Sequence, residues 1–167
     1  TLEGKEITIC GIAKGAGMIE PNMATMLSFI MTDANIEKDC LESVFRESVQ
    51  RSFNAISVDG CMSTNDTAII MANGLAKNAS INKKSAGLQI FREALFDVTI
   101  SLAKSIVRDG EGATKLIEIV VEGAETESDA KKVAYAAARS NLVKTAFFGE
   151  DPNWGRIISA IGSTGIE

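Results

Sequence analysis

A glycine-rich segment between two apolar runs constrains the fold of this chain more than any other stretch. The segment, residues 11–27, contains three glycines and a proline. The apolar run before it covers residues 7–12, and the apolar run after it covers residues 26–31. Each apolar run has the length of a buried strand, whereas glycine and proline interrupt regular structure between them. The sequence therefore predicts two strands joined by a glycine-rich loop, which is a common position for reactive groups.

The rest of the chain alternates between the apolar periods of helices and of strands. Further strands are predicted over residues 68–72, 116–122 and 142–148, and helices over residues 37–56, 84–107 and 128–139, with a short last helix opening near Asn153. Such alternation predicts an α+β fold in the form of a layered α/β sandwich. The order of the strands does not follow from the sequence.

Composition limits the partners of the chain. Of the 167 residues, 46% are hydrophobic and 23% are charged, and the net charge is −5. A globular chain with this charge is a poor match for nucleic acid or for an anionic membrane surface. No apolar run approaches the roughly 20 residues that a membrane helix requires.

The chain contains no histidine and three cysteines. Without histidine, neither a Ser-His-Asp or Cys-His arrangement nor an imidazole zinc site can be built from these residues. A nucleophile here needs another base, and an N-terminal amine, with an ordinary pKa of about 7.7–8.0, is one of few candidates. Cys10, Cys40 and Cys61 have no metal-ligand spacing, so they are predicted to be reduced and to serve as small core residues.

Thr25 is the candidate nucleophile. It follows the small residue Ala24 and stands at the start of a predicted strand. A threonine hydroxyl needs a base, and cleavage of the Ala24–Thr25 bond would place a free α-amine on the same residue. The alternative is a threonine selected for its β propensity alone.

Several blocks of this sequence resemble one known family. Residues 14–27 read Lys-Gly-Ala-Gly-Met-Ile-Glu-Pro-Asn-Met-Ala-Thr-Met-Leu, and residues 109–115 read Asp-Gly-Glu-Gly-Ala-Thr-Lys. The first block resembles the self-cleavage segment of the ornithine acetyltransferase family, the bifunctional glutamate N-acetyltransferases of arginine biosynthesis. Residues 63–67 and 151–156 match two further blocks of that family.

The resemblance implies an acyltransferase that is made by self-cleavage between Ala24 and Thr25. Thr25 would be the catalytic nucleophile, and Lys14, Thr25 and Glu111 would bind substrate. Acetyl would pass from N2-acetyl-L-ornithine to Thr25 and then to L-glutamate. Some members of the family also use acetyl-CoA as a donor. The resemblance implies no metal and no bound cofactor.

The family resemblance also implies how the chain is organised. Residues 1–24 would end an α chain and residues 25–167 would begin a β chain, within a longer protein. The expected assembly is an α/β heterodimer in a larger oligomer, a heterotetramer, in the cytoplasm. The expected fold has mixed sheets between helical layers, as in certain self-cleaving aminopeptidases. The donors of the oxyanion hole and further substrate contacts would lie outside this chain.

Other readings remain open for the chain and for its blocks. A related self-cleaving aminopeptidase or amidohydrolase would use the same nucleophile, and a non-catalytic fragment would only bind or assemble. The alternative for Lys14 is a solvated lysine in a loop. The alternative for Glu111 is a solvated glutamate in a helix-ending turn. Residues 63–67 suit turn capping as well as substrate contact. Residues 151–156 suit a helix start with Trp154 as a buried anchor, and Arg156 alternatively lies near the site.

Overall fold

A computed structural model describes residues 1–2, 4–20, 26–61 and 65–166 of the chain. They form two units, residues 1–111 and 112–167. The first unit contains β1 (Ile9–Lys14), β2 (Leu27–Thr32), α1 (Lys38–Arg51), a single 3₁₀ turn (Phe53–Ala55), β3 (Thr67–Ala72) and α2 (Gly87–Arg108). The second contains α3 (Glu127–Arg139), α4 (Asn141–Phe148) and α5 (Trp154–Gly162).

The three strands form one mixed sheet in the order β1-β2-β3. Strand β1 runs antiparallel to β2, with Lys14 opposite Leu27, and β3 runs parallel to β2, with Thr67 also opposite Leu27. A parallel pair needs a long crossover, which here contains α1. The end of β1 and the starts of β2 and β3 therefore lie at the same end of the sheet.

Helices α1 and α2 contribute to a core against the sheet. Ile30 of β2, Val44 of α1 and Leu95 of α2 belong to one buried cluster. The buried hydroxyls of Ser48 and Thr99 are hydrogen-bonded at 2.6 Å between the two helices. Gly11 of β1 permits the close approach of α2, because a Cβ atom at this position would lie 2.8 Å from a side-chain carbon of Leu102.

A second buried cluster lies near the loops at that end of the sheet. It contains Ile19 and Met26, together with Phe53 and Ile106. Ile19 is 2% exposed and Met26 is 8% exposed. Burial of such side chains contributes about 1.5–3 kcal/mol each, so the chain is held firmly on both sides of residues 21–25.

The predicted elements of the first unit are confirmed, with ends shifted by a few residues. The α+β class is confirmed as well, by the mixed sheet and the helices packed on it. Among the helices that the structure describes, none combines the length and the apolar character needed to cross a membrane.

Two predicted strands of the second unit are wrong. Residues 142–148 lie in α4, because the buried residues Val143 and Ala146 are spaced for a helix and Ser140 Oγ accepts a hydrogen bond from Val143 N at 3.3 Å. Residues 116–122 alternate as a strand does, but the structure assigns no strand to them. A strand requires a hydrogen-bonded neighbour, and none of the described strands pairs with this segment.

The last helix is confirmed, but the predicted burial of its tryptophan is wrong. Asn153 caps α5 by accepting a hydrogen bond from Arg156 N at 3.3 Å. Trp154 is 72% exposed, so it does not anchor the helix start. Arg156 instead joins α5 to α4, because its guanidinium donates to Leu142 O at 2.8 Å and to Thr145 Oγ1 at 3.1 Å.

The prediction that all three cysteines are core residues holds for one of them. Cys40 is buried, and burial raises the pKa of its thiol. Cys10 and Cys61 are exposed. Cys10 lies on the face of β1 opposite to the core, as strand alternation requires.

Candidate active site

Lys14 and Glu111, two of the predicted site residues, lie at one end of the sheet. Lys14 is the last residue of β1, and its side chain is exposed. It lies opposite Leu27, which follows Thr25 by two positions. Ala24 and Thr25, the predicted cleavage site and nucleophile, lie outside the described residues. Their roles, and the chain division at this bond, stay predictions.

Glu111 lies against the glycine-rich loop. Its backbone amide donates a hydrogen bond to Ala16 O at 3.1 Å. Its carboxylate is so close to Gly17 that a Cβ atom built on that glycine would lie 3.1 Å from Glu111 Oε1. The packing of α2 on the sheet thus brings the turn after α2 to the loop that follows Lys14.

Asp59 fixes the second half of the glycine-rich loop. Its carboxylate accepts hydrogen bonds from Met18 N at 2.6 Å and Ile19 N at 3.1 Å, and from Cys61 N at 3.0 Å. The amide of Val58 also donates to Ile19 O at 2.8 Å. Met18 has a φ of 59°, which is uncommon for a residue with a side chain. The contacts of Asp59 hold the loop in this conformation.

Glu20 is a second acidic residue packed on this turn. It is 6% exposed, and Ser57 Oγ donates to its Oε2 at 3.5 Å. A Cβ atom on Gly60 would lie 3.0 Å from the same oxygen. Gly60 also has a positive φ of 77°, so both its conformation and its contact with Glu20 favour glycine.

Asp66 binds the chain on the other side of residues 21–25. Its Oδ1 accepts a hydrogen bond from Met26 N at 2.6 Å, and the residue is 8% exposed. Burial raises the pKa of this carboxyl, although the hydrogen bond from Met26 acts in the opposite direction. Asp66 and Met26 also line a cavity of about 450 Å³, whose other lining residues include Ile19, Arg46 and Phe53.

Neither Lys14 nor Glu111 lines that cavity, so the structure separates it from the predicted substrate-binding pair. Sequence reasoning did not single out Asp59 or Asp66, although both belong to the polar stretch before β3. The signal that was available for Asp59 is its position before Gly60, which is typical of a tight turn. Asp66 lies inside the matched block 63–67, of which residues 63 and 64 are outside the described residues.

All 167 residues of the chain match the sequence model of the ArgJ family. The chain belongs to the ArgJ family. The resemblance noted in residues 14–27 and 109–115 is thereby confirmed.

Curated members of the ArgJ family are similar over the whole of this chain. The arginine biosynthesis bifunctional protein ArgJ of Caldanaerobacter subterraneus subsp. tengcongensis is 57% identical over 166 residues, which are 99% of this chain and 41% of that protein. The protein of the same name from Geobacter sulfurreducens is 58% identical over 167 residues, which are 100% of this chain and 42% of that protein. This chain therefore spans about two fifths of the length of these relatives.

A solved ArgJ structure confirms the fold. The crystal structure of the arginine biosynthesis bifunctional protein argJ from Bacillus halodurans superposes with a TM-score of 0.82 at 49% sequence identity. The superposition covers 86% of this chain and 67% of that chain. The α+β fold is thus shared with an ArgJ protein.

Proposed function

We propose that the full-length protein moves acetyl from N2-acetyl-L-ornithine to L-glutamate through Thr25, after self-cleavage at Ala24–Thr25. Membership of the ArgJ family supports this activity. The observation that carries it is the packing of Glu111 against Gly17, in the loop between Lys14 and Thr25. Two residues that the family resemblance assigns to substrate binding thus belong to one end of the sheet.

Self-cleavage would begin with attack of the Thr25 hydroxyl on the carbonyl carbon of Ala24. The C–N bond of the peptide breaks, the amide nitrogen becomes the α-amine of Thr25, and Ala24 is left as an ester on the hydroxyl. Water then hydrolyses this ester, which releases the carboxylate of Ala24 and restores the hydroxyl. The product carries a nucleophile and a base on one residue.

Acetyl transfer would use the same hydroxyl twice. The Thr25 hydroxyl gives its proton to the α-amine of Thr25 as its oxygen attacks the acetyl carbonyl carbon of acetylornithine. The C–N bond of the acetyl amide then breaks, and the nitrogen of ornithine leaves with that proton. The α-amine of glutamate then attacks the acetyl-Thr25 ester and releases N-acetylglutamate and the free hydroxyl. Because the two substrates bind in turn, the kinetics are of the ping-pong type.

The charges of Lys14 and Glu111 indicate which end of the substrate each would bind. The Lys14 ammonium is a suitable partner for an α-carboxylate, and the Glu111 carboxylate is suitable for the amino end of ornithine. Both side chains are exposed in this chain, where an incoming substrate can meet them. The scheme needs no metal and no bound cofactor, and it accommodates acetyl-CoA as an additional donor.

The two products of cleavage would stay together. Residues before position 24 include β1 and residues after position 25 include β2, and these strands pair over Ile9–Lys14 and Leu27–Thr32. The ladder therefore supports an α/β heterodimer, for which we propose assembly into a heterotetramer in the cytoplasm. Cleavage must be measured under denaturing conditions, because the paired strands would keep the two fragments associated.

The test is the denatured mass of the full-length protein before and after incubation with N2-acetyl-L-ornithine. We expect two fragments that meet at Ala24–Thr25, with an acetyl increment on the fragment that begins at Thr25. Glutamate should remove this increment and yield N-acetylglutamate. Hydrolysis of acetylornithine at a rate independent of glutamate would instead identify an aminopeptidase or amidohydrolase. An uncut chain without an adduct would contradict the proposal.

Gly17→Ala should weaken substrate binding with little change in stability. The new Cβ would lie 3.1 Å from Oε1 and 3.2 Å from Cδ of Glu111, so the carboxylate must move. Glu111 is exposed and can rotate away at little cost. We expect the KM for acetylornithine to rise about tenfold with kcat nearly unchanged, as for a contact made equally in the ground state and the transition state.

Gly162→Ala is the matched control for this substitution. Gly162 ends α5, and among the described residues no atom beyond its chain neighbours and its own helix backbone lies within 4 Å of the position that its Cβ would take. This variant should keep the KM of the wild type. An unchanged KM in Gly17→Ala would remove Glu111 from the binding of acetylornithine.

A further inference from the structure

Met26 is held at both of its backbone hydrogen-bonding groups. Its amide nitrogen donates to Asp66 Oδ1 at 2.6 Å, and its carbonyl oxygen accepts from Thr67 N at 3.0 Å. Both partners come from the segment that opens β3. The peptide nitrogen of Met26 is bonded to the carbonyl carbon of Thr25, so this pair of hydrogen bonds holds the residue that directly follows Thr25.

Burial of the Asp66 carboxyl in this position costs free energy. Its Oδ2 is buried and has no hydrogen-bond partner in the described part of the chain. A buried polar atom without a partner calls for an explanation, because it loses its interactions with water and gains nothing in exchange. The strand pairing itself does not need this side chain, since the ladder between β2 and β3 is formed by backbone groups.

The surroundings of Asp66 shift the pKa of its carboxyl. Its pKa is raised, first because burial disfavours the charged carboxylate, while the hydrogen bond from Met26 N partly offsets this effect. A neutral carboxyl still accepts a hydrogen bond from an amide through its carbonyl oxygen. An asparagine has the same shape and the same acceptor, and it is therefore suitable as a replacement that keeps the anchor without a titratable group.

We infer that Asp66 is a positioning residue for Thr25, which acts by holding the amide of Met26. The inference rests on the proposed function of Thr25 as the nucleophile of self-cleavage. Asp66 acts through the backbone and takes no proton from Thr25. The reacting groups must approach to about 3–3.5 Å, and small errors in their placement reduce rates strongly. A fixed residue on the carboxyl side of Thr25 limits such errors.

The test compares Asp66→Ala with Asp66→Asn in the full-length protein. Cleavage is followed by denatured mass during cell-free synthesis, so that the uncut precursor is seen as it disappears. We expect Asp66→Ala to cleave about tenfold more slowly, because the amide of Met26 loses its anchor. Asp66→Asn should cleave within about threefold of the wild type, because its amide oxygen replaces the acceptor.

Hydrogen exchange at the amide of Met26 gives a readout that does not depend on cleavage. Exchange should be faster in Asp66→Ala and close to that of the wild type in Asp66→Asn. If the wild type itself does not cleave, the proposed function fails, and exchange at Met26 still decides whether Asp66 anchors this amide. Unchanged exchange in Asp66→Ala would overturn the inference.

Ser48→Ala is the control for a general loss of stability. Ser48 is a buried polar residue of the same unit, and its hydroxyl bonds Thr99 Oγ1 rather than the loop. This variant should lower the Tm and leave the cleavage rate unchanged. Equal slowing in Ser48→Ala and Asp66→Ala would assign the effect to stability. The second outcome is an equal loss of cleavage in Asp66→Asn and Asp66→Ala while exchange at Met26 is unchanged in Asp66→Asn. It would assign a direct chemical role to the carboxyl. Each of these two outcomes overturns the inference.

Discussion

Thr25→Ala should leave the full-length protein as a single uncut chain that takes up no acetyl group. The substitution removes the oxygen that attacks the Ala24 carbonyl and later carries the acetyl ester. No other group on residue 25 can replace it, so we expect cleavage and transfer to fall by at least about 10⁴-fold, in the range found when a nucleophile is deleted from an enzyme. Denatured mass with and without acetylornithine measures both effects.

Thr25→Ser separates the hydroxyl from the rest of the side chain. Serine keeps the nucleophilic oxygen and removes only a methyl group, so this variant should still cleave and should accept acetyl. A Thr25→Ala protein that is fully processed at position 24–25 would disprove the assignment of the nucleophile. A Thr25→Ser protein as inactive as Thr25→Ala would show that the hydroxyl alone does not account for the chemistry.

The sheet and the two helices of the first unit could be predicted because their patterns are local. Strands β1 and β2 are short apolar runs bounded by glycine, proline or polar residues, and α2 shows a long helical period. Register and strand order could not be predicted in this way. They depend on α1 crossing from β2 to β3, and on the close approach of α2 to Gly11.

Local patterns failed where a short apolar run fits two structures. Residues 142–148 contain both a strand-like composition and a three-residue spacing of Val143 and Ala146, and packing with helical neighbours selects the helix. Residues 116–122 have the alternation of a strand, but alternation cannot supply the neighbouring strand that would pair with them. In both cases the deciding information lies in other segments of the chain.

The candidate site, like the fold, could be predicted from the sequence only in part. Lys14 and Glu111 were predicted from family blocks, and the structure adds that the loop after Lys14 meets Glu111 through Ala16 and Gly17. Asp59 and Asp66 were not found, because each acts on backbone amides some forty residues away and leaves no periodic signal. The distant amides that each carboxylate binds are recognised only when the fold is known.

Asp59→Ala should disturb the glycine-rich loop and slow self-cleavage. One carboxylate holds the amides of Met18, Ile19 and Cys61, and alanine would leave all three without this acceptor. Met18 would then lose the contact that favours its left-handed backbone, and the loop that leads to the proposed cleavage site would lose its anchor. We expect self-cleavage to slow about a hundredfold, the effect of a displacement of about 1 Å in a reacting group.

Asp33→Ala is the matched control for this prediction. Asp33 also accepts a hydrogen bond from a backbone amide, that of Thr8 at 2.8 Å, but it does so at the opposite end of the β1–β2 ladder. Cell-free synthesis followed by denatured mass gives the cleavage rate of both variants, and thermal unfolding gives their stability. Slow cleavage in Asp59→Ala alone would show that the glycine-rich loop must be held for the reaction. If both variants cleave as fast as the wild type, the loop does not need its carboxylate anchor, and the conformation of Met18 is set by the sheet and by the burial of Ile19.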